Sequence, residues 1–151
     1  MDSDRLSGYI QRYQRTVYRA AFSYVGSCAD AEDIVQDTFV KLYTYNGSFE
    51  SEEHVKAWLI RVAVNLSKNL LRSRRRSGAS EVTDHGSCDR ENELLAAVME
   101  LPPSYREVIY LYYYEGYSAK EIAAILRHPV STVTTRLSRG RKLLKDMLLE
   151  G

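Results

Sequence analysis

YSAKEIAAILRHPVSTVTTRLSRGRKLLK (residues 117–145) spells two helices around a tight turn, the second of them loaded with positive charge. Ser118 followed three residues later by Glu121 is a capping box, which satisfies orphan N–H groups at a helix start. Ile122, Ala123, Ile125 and Leu126 supply the apolar face of that helix. Arg127-His128-Pro129 breaks it, because proline cannot continue a helix and disfavours it at the preceding residue. The next helix offers Val130, Val133, Leu137, Leu143 and Leu144 to a core. Its other face carries Ser131, Thr132, Thr134, Thr135, Arg136, Ser138 and Arg139. Between Val130 and Lys145 there are five basic residues and no acidic one. Short hydroxyls let a helix approach a major groove, and the arginines behind them meet phosphates. Nucleic acid is the first partner to consider.

Working outward, Leu101-Pro102-Pro103 opens a preceding helix, proline being suited to a first helical position. That helix carries Val108, Ile109, Leu111 and Tyr112 to about Glu115, and Gly116 ends it. Another helix spans Glu91 to Glu100, with Leu94, Leu95, Val98 and Met99 apolar. Residues 77–88, SGASEVTDHGSC, have no apolar periodicity and read as a mobile linker. Before it the helical period dominates. Leu6, Ile10, Tyr13, Val17, Ala21 and Tyr24 form one face of a long first helix, which Gly26-Ser27 ends. A second helix runs from about Ala29 to Tyr45, with Ala31, Ile34, Val35, Thr38, Phe39 and Leu42 inward. Asn46-Gly47-Ser48 is turn chemistry. A third runs from about Glu52 to Arg74, with Val55, Trp58, Leu59, Val62, Leu66 and Leu70 inward. The chain therefore reads as all-α, with small helical domains at 1–76 and 89–151 and no strand pattern or repeat.

The 151 residues are 44% hydrophobic and 27% charged, as in a globular chain. The net charge of +1 hides a pattern: +3 over residues 1–76, −5 over 77–100 and +3 over 101–151. Basic blocks flanking an acidic connector are a statement about partners. No apolar run approaches the roughly 18 residues of a membrane helix, so no membrane insertion is expected. Two cysteines, Cys28 and Cys88, without a signal-peptide pattern, point to a reducing cytoplasm. His85 and Cys88 make at most half a zinc site, and no second ligand pair accompanies them. No metal or other cofactor is expected. There is no glycine-rich phosphate loop and no nucleophile elbow, so an enzyme is not expected.

Two further surfaces carry information. On the third helix Arg61, Asn65, Lys68 and Arg72 share one face, with Asn69 beside them, and Arg74-Arg75-Arg76 closes the helix. A solvated face with a dipole-complementing tail is the plain alternative. Asparagines weigh against it, being poor in helix interiors yet suited to base edges. On the second helix Glu32, Asp33, Gln36, Asp37 and Lys41 form a largely acidic stripe. It is either merely solvated or a site for a protein, having the wrong charge for DNA. In the intervening loop Phe49 either stacks on an unpaired base or tucks into the bundle.

AEDIVQDTFVKLY (31–43), AWLIRVAVNLSKNLLRSRRR (57–76), LPPSYREVIYLYYYEGYSAKEIAAIL (101–126) and VSTVTTRLSRGRKLL (130–144) together resemble a bacterial extracytoplasmic-function (ECF) sigma factor. The resemblance covers nearly the whole chain, in the family's order. It implies two helical domains, sigma regions two and four. It implies that Asp33, Gln36, Asp37, Phe39 and Lys41 dock on the clamp helices of core RNA polymerase. It implies that the Phe49 loop captures a flipped base of the minus-ten element, and that Asn65, Lys68 and Asn69 read and open that element, with Arg61 and Arg72 on the same stripe. Thr134, Thr135, Arg136, Ser138 and Arg139 correspond to the recognition helix on the minus-thirty-five element, with Ser131 and Thr132 at its start. Family members often have arginine or lysine where Thr134 stands, and Gly or Asn where Arg127 stands.

The expected function is a promoter-specificity subunit that binds core polymerase and promoter DNA under the control of an anti-sigma factor. Two rivals are a sigma-like decoy that titrates an anti-sigma factor and a stand-alone helix-turn-helix regulator. A decoy has no need of the basic stripes, and a stand-alone regulator leaves the first domain unexplained.

Overall fold

The computed structural model describes residues 1–78 and 97–150. The chain divides into two compact units, Met1–Thr83 and Asp84–Gly151. Among the described residues all regular structure is helical. The expected linker from position 79 on, the His85/Cys88 pair and the start of the Glu91–Glu100 helix lie outside the described residues.

The first unit is a bundle of α1 (Ser3–Val25), α2 (Cys28–Thr44) and α3 (Glu52–Arg76). Each helix starts on a side-chain cap, as the orphan N–H groups of a first turn require. Asp2 accepts from the Arg5 N–H at 2.7 Å, Ser27 from Asp30 and Ser51 from His54. Gly26 ends α1 in a left-handed conformation, φ 64°, with its N–H donating to the Phe22 carbonyl at 2.9 Å. Ser27 then caps α2 at once, so two residues make the whole corner. Val17, Ala20, Ala21, Ala31, Leu42, Val55, Leu59, Ile60 and Ala63 are at most 1% exposed and form the core. Buried Thr38 and Ser67 cost little, because their hydroxyls donate to the Ile34 and Ala63 carbonyls, each at 2.7 Å. Two ion pairs tie the bundle across its faces. Arg74 near the end of α3 meets Asp30 at 2.6 Å, both side chains mostly covered. Arg12 and the Tyr13 hydroxyl on α1 both donate to Glu52.

The inner face of α3 differs from the expectation. Val55 and Leu59 are buried as expected, but Ile60, Ala63, Val64, Ser67 and Leu71 complete the face. Trp58, Val62, Leu66 and Leu70 are only half-buried. Apolar residues occupy adjacent stripes of this helix, and close helix approach selects the one bearing small residues.

The second unit contains α4 (Pro103–Tyr113), α5 (Ala119–Leu126) and α6 (Val130–Glu150), with residues 97–99 helical at the edge of the described region. Proline opens α4. That helix stops at Tyr113, two residues short of the expectation, and Gly116 turns with φ 74°. The capping box is present in full: Ser118 accepts from the Glu121 N–H at 3.2 Å, and the Ser118 N–H donates to the Glu121 carboxylate at 3.0 Å. Arg127 ends α5 in the left-handed region, φ 58°, where the family's Gly or Asn would sit more easily. Val98, Val108, Ile109, Leu111, Ile122 and Val133 are essentially sealed. Val130 and Leu143, expected in the core, are exposed. In their place Gly140 is buried, and a Cβ there would stand 2.9 Å from Cγ1 of Ile109. The glycine lets α6 lie directly on α4.

Candidate nucleic-acid interface

On α3 the structure leaves Asn65, Asn69 and Arg72 exposed along one face, a spacing of four and three. Arg61 and Lys68 are half-buried, and the Lys68 ammonium lies 5.7 Å from the centre of the Tyr24 ring. Two amide side chains and one guanidinium thus face solvent without apolar neighbours between them.

Beside that face the loop before α3 is organised by aromatic rings. Phe49 packs onto the bundle yet stays half-buried, which leaves both of its alternatives standing. Its ring meets Trp58 edge-on at 5.7 Å, His54 edge-on at 5.2 Å and Tyr45 at 5.3 Å. The Glu50 N–H donates to Nδ1 of His54 at 3.1 Å, fixing the loop against the first turn of α3. Gly47 admits the Tyr45 ring, which would overlap any Cβ at that position. Phe49 stays partly exposed, and so does Trp58. The two rings form a half-open aromatic ledge. Sequence reasoning assigned Trp58 to the core and missed Tyr45; aromatic or imidazole rings at 45, 49, 54 and 58 were the available signal.

The acidic stripe of α2 is present. Glu32, Asp33, Gln36, Asp37 and Lys41 are all exposed. Phe39, assigned to the same docking surface, is a correction: it is 5% exposed and sits in the core. The exposed apolar groups on this helix are instead Val40, at 61%, and Tyr43. A helix side chain four residues from Val35 and three from Leu42 faces with them, and the buried side of α2 holds Phe39.

In the second unit the N-terminal half of α6 presents Ser131, Thr134, Thr135, Ser138 and Arg139 to solvent, with Thr132 half-buried. The Thr134 hydroxyl donates to the Ser131 carbonyl at 3.0 Å, which withdraws one donor from the surface. Arg136 is placed differently from its neighbours, 3.6 Å from the buried carboxylate of Glu107 on α4. Burial pushes the Glu107 carboxyl up to about 7, while Arg136 pulls it back. Farther along, Arg141 donates to the Tyr113 hydroxyl at 2.6 Å and lies over the Tyr112 ring. Below it an open apolar groove of about 510 Å³ runs between α4 and the end of α6, lined by Ile109, Tyr113, Leu144, Leu148 and Leu149 among others. Among the described residues no group of acidic, His or Cys side chains is arranged to hold a metal ion, and no helix is long and apolar enough to cross a membrane.

Residues 9–77 match the family model described as Sigma-70 region 2, and residues 91–144 match Sigma-70, region 4. The chain is 33% identical to the ECF RNA polymerase sigma-E factor of Haemophilus influenzae, over 92% of this chain and 85% of that one. The chain belongs to the ECF sigma factor family. The ECF RNA polymerase sigma factor SigW of Bacillus subtilis is 29% identical, over 97% of this chain and 90% of its own. Among solved structures, the sigma factor RpoE in its complex with the anti-sigma factor NepR from Bartonella quintana superposes with a TM-score of 0.76. It is 29% identical and covers 94% of this chain and 95% of that one. The region 2 match contains the α2 stripe, the aromatic ledge and the α3 face. The region 4 match contains the Thr134–Arg139 face and the Glu107–Arg136 pair. An ECF sigma factor thus accounts for both units of the chain.

Proposed function

We propose that this ECF sigma factor binds core RNA polymerase, carries it to a two-part promoter and helps open the duplex, without catalysing a reaction itself. The observation that carries this reading is the pairing, in one chain, of an amide-bearing face beside an aromatic ledge with a hydroxyl- and arginine-bearing face on a helix-turn-helix. The exposed Asn65, Asn69 and Arg72 with the Phe49–Trp58 ledge suit an unstacked strand, which offers base faces and edges that a duplex hides. Thr134, Thr135, Ser138 and Arg139 suit a major groove. The α2 stripe of Asp33, Gln36 and Asp37, with Val40 and Tyr43 beside it, suits a basic protein partner, which in this reading is the polymerase. Opening follows from differential binding: the ledge and amide face gain contacts only once the strands part. The RpoE chain bound to NepR supports control by an anti-sigma factor, and the chain's site of action in this reading is the cytoplasm.

Run-off transcription with purified core polymerase on a promoter library tests this. Core polymerase plus the protein yields discrete transcripts from a shared two-part sequence. No stable complex with core polymerase, or complex without promoter choice, overturns the reading.

A further inference from the structure

Glu107 is a carboxylate set into the core of the second unit, 5% exposed. It belongs to α4, but two basic groups that face it come from α6 and the turn before it. Nη1 of Arg136 on α6 stands 3.6 Å away, and Nε2 of His128 in the α5–α6 turn stands 4.0 Å away. On its own helix the neighbouring Arg106 donates to the Met99 carbonyl at 3.1 Å. A buried carboxylate is costly to keep unless it is paired. Arg136 is drawn inward to meet it. It lies between Val133, Leu137 and Gly140 on the covered side of α6, while Arg139, one turn on, is exposed.

The geometry points to Arg136 as a positioning residue: anchored by Glu107, it fixes the roll of α6 so that Thr134, Thr135, Ser138 and Arg139 face DNA. Its charge serves the protein, and the phosphate contact on this face falls to Arg139. The inference rests on reading α6 as the promoter-reading helix. The two arginines, equivalent by sequence, then have different tasks.

The two roles separate in one experiment. Glu107→Gln, Arg136→Met, the double variant and Arg139→Ala are each assembled with core polymerase, and promoter affinity is measured from 50 to 200 mM salt. A phosphate contact adds about one unit to the salt slope, whereas a brace adds none. Arg139→Ala therefore lowers the slope by about one unit. Glu107→Gln and Arg136→Met each lower affinity about tenfold at unchanged slope, and the double variant is no worse than either, as for one coupled pair. Glu107→Gln relieves a buried acid, so at pH 8 it binds promoter more weakly while melting no lower than the wild type. A purely structural role would move both together. If Arg136→Met does not fold, Glu107→Gln still decides: wild-type affinity in that variant overturns the proposal. So does a slope lowered by about one unit in Arg136→Met with Glu107→Gln unaffected. Unchanged promoter binding in all four variants, Arg139→Ala included, instead sinks the reading of α6.

Discussion

At the scale of single residues, Glu107 makes stability depend on pH in an unusual direction. Its ordinary value of 4.5 is raised by burial to about 7 in the fold. Below 4.5 folded and unfolded chains both hold the proton. Between 4.5 and about 7 the unfolded chain has released it and the folded chain keeps it, so stability falls as pH rises, and the loss is complete above about 7. The shift corresponds to about 3 kcal/mol. Urea titrations across that window should show the loss in the wild type, and Glu107→Gln, which cannot titrate there, should lack it, so the difference between the two proteins isolates it. Arg127 supplies the converse case, a backbone cost without a charge cost. At φ 58° an L side chain is strained by roughly 1–2 kcal/mol, offset in part by glycine's greater freedom in the unfolded chain. Arg127→Gly should raise the melting temperature by a few degrees, and a lowered one would mean that the arginine side chain does more than tolerate the turn. Both features show what the sequence made legible. Pro129 and the capping box announced the turn, and the Gly or Asn that family members often carry at position 127 marked its left-handed residue. Nothing in the spacing of Glu107, His128 and Arg136 announced that the three converge, because convergence is a product of how α4, α5 and α6 pack.

At the scale of elements, helix existence followed from period and caps, whereas helix roll did not. Ser27, Ser51 and Ser118 sit where the helices start, and Gly26 where α1 stops, so those boundaries fell within two residues, whereas α6 runs to Glu150, five residues past the expected Lys145. On α3 the large residues Trp58, Val62, Leu66 and Leu70 looked like the inner face, yet Ala63 and Ser67 lie at the contact. Counting apolar bulk favours the wrong stripe wherever helices approach closely. Phe39 was misassigned for the opposite reason: a docking role carried over from the resemblance outweighed a period that already pointed it inward. On α6 the overlooked core position was a glycine, which carries no hydrophobic signal at all. Gly140→Leu should cost about 1–3 kcal/mol or more by forcing α6 off Ile109 and Tyr105, measured by chemical denaturation. A neutral result would show that the two helices part without penalty.

At the scale of the whole molecule, opposite charges are assigned to different faces. The α2 stripe is acidic and exposed, and the faces proposed for nucleic acid carry Arg72 and Arg139. Replacing Asp33 and Asp37 together with lysine should leave the fold intact, since neither contributes to a core. It should weaken binding to core polymerase by a few kcal/mol in a competition titration if the partner charges are desolvated, less if they lie at the rim. Unchanged affinity would remove the stripe from the docking surface. The glycine in α6 has a mechanical consequence. It sits at the midpoint of a 21-residue helix, a rod about 30 Å long, and it is where that rod bears on α4. The rod does not balance there, because its first half is clamped as well, by buried Val133 and Leu137 and by the Glu107–Arg136 pair, while Leu148 and Leu149 beyond the glycine are exposed: it is a cantilever, held at the end that carries Thr134 and bearing an apolar tip at the other.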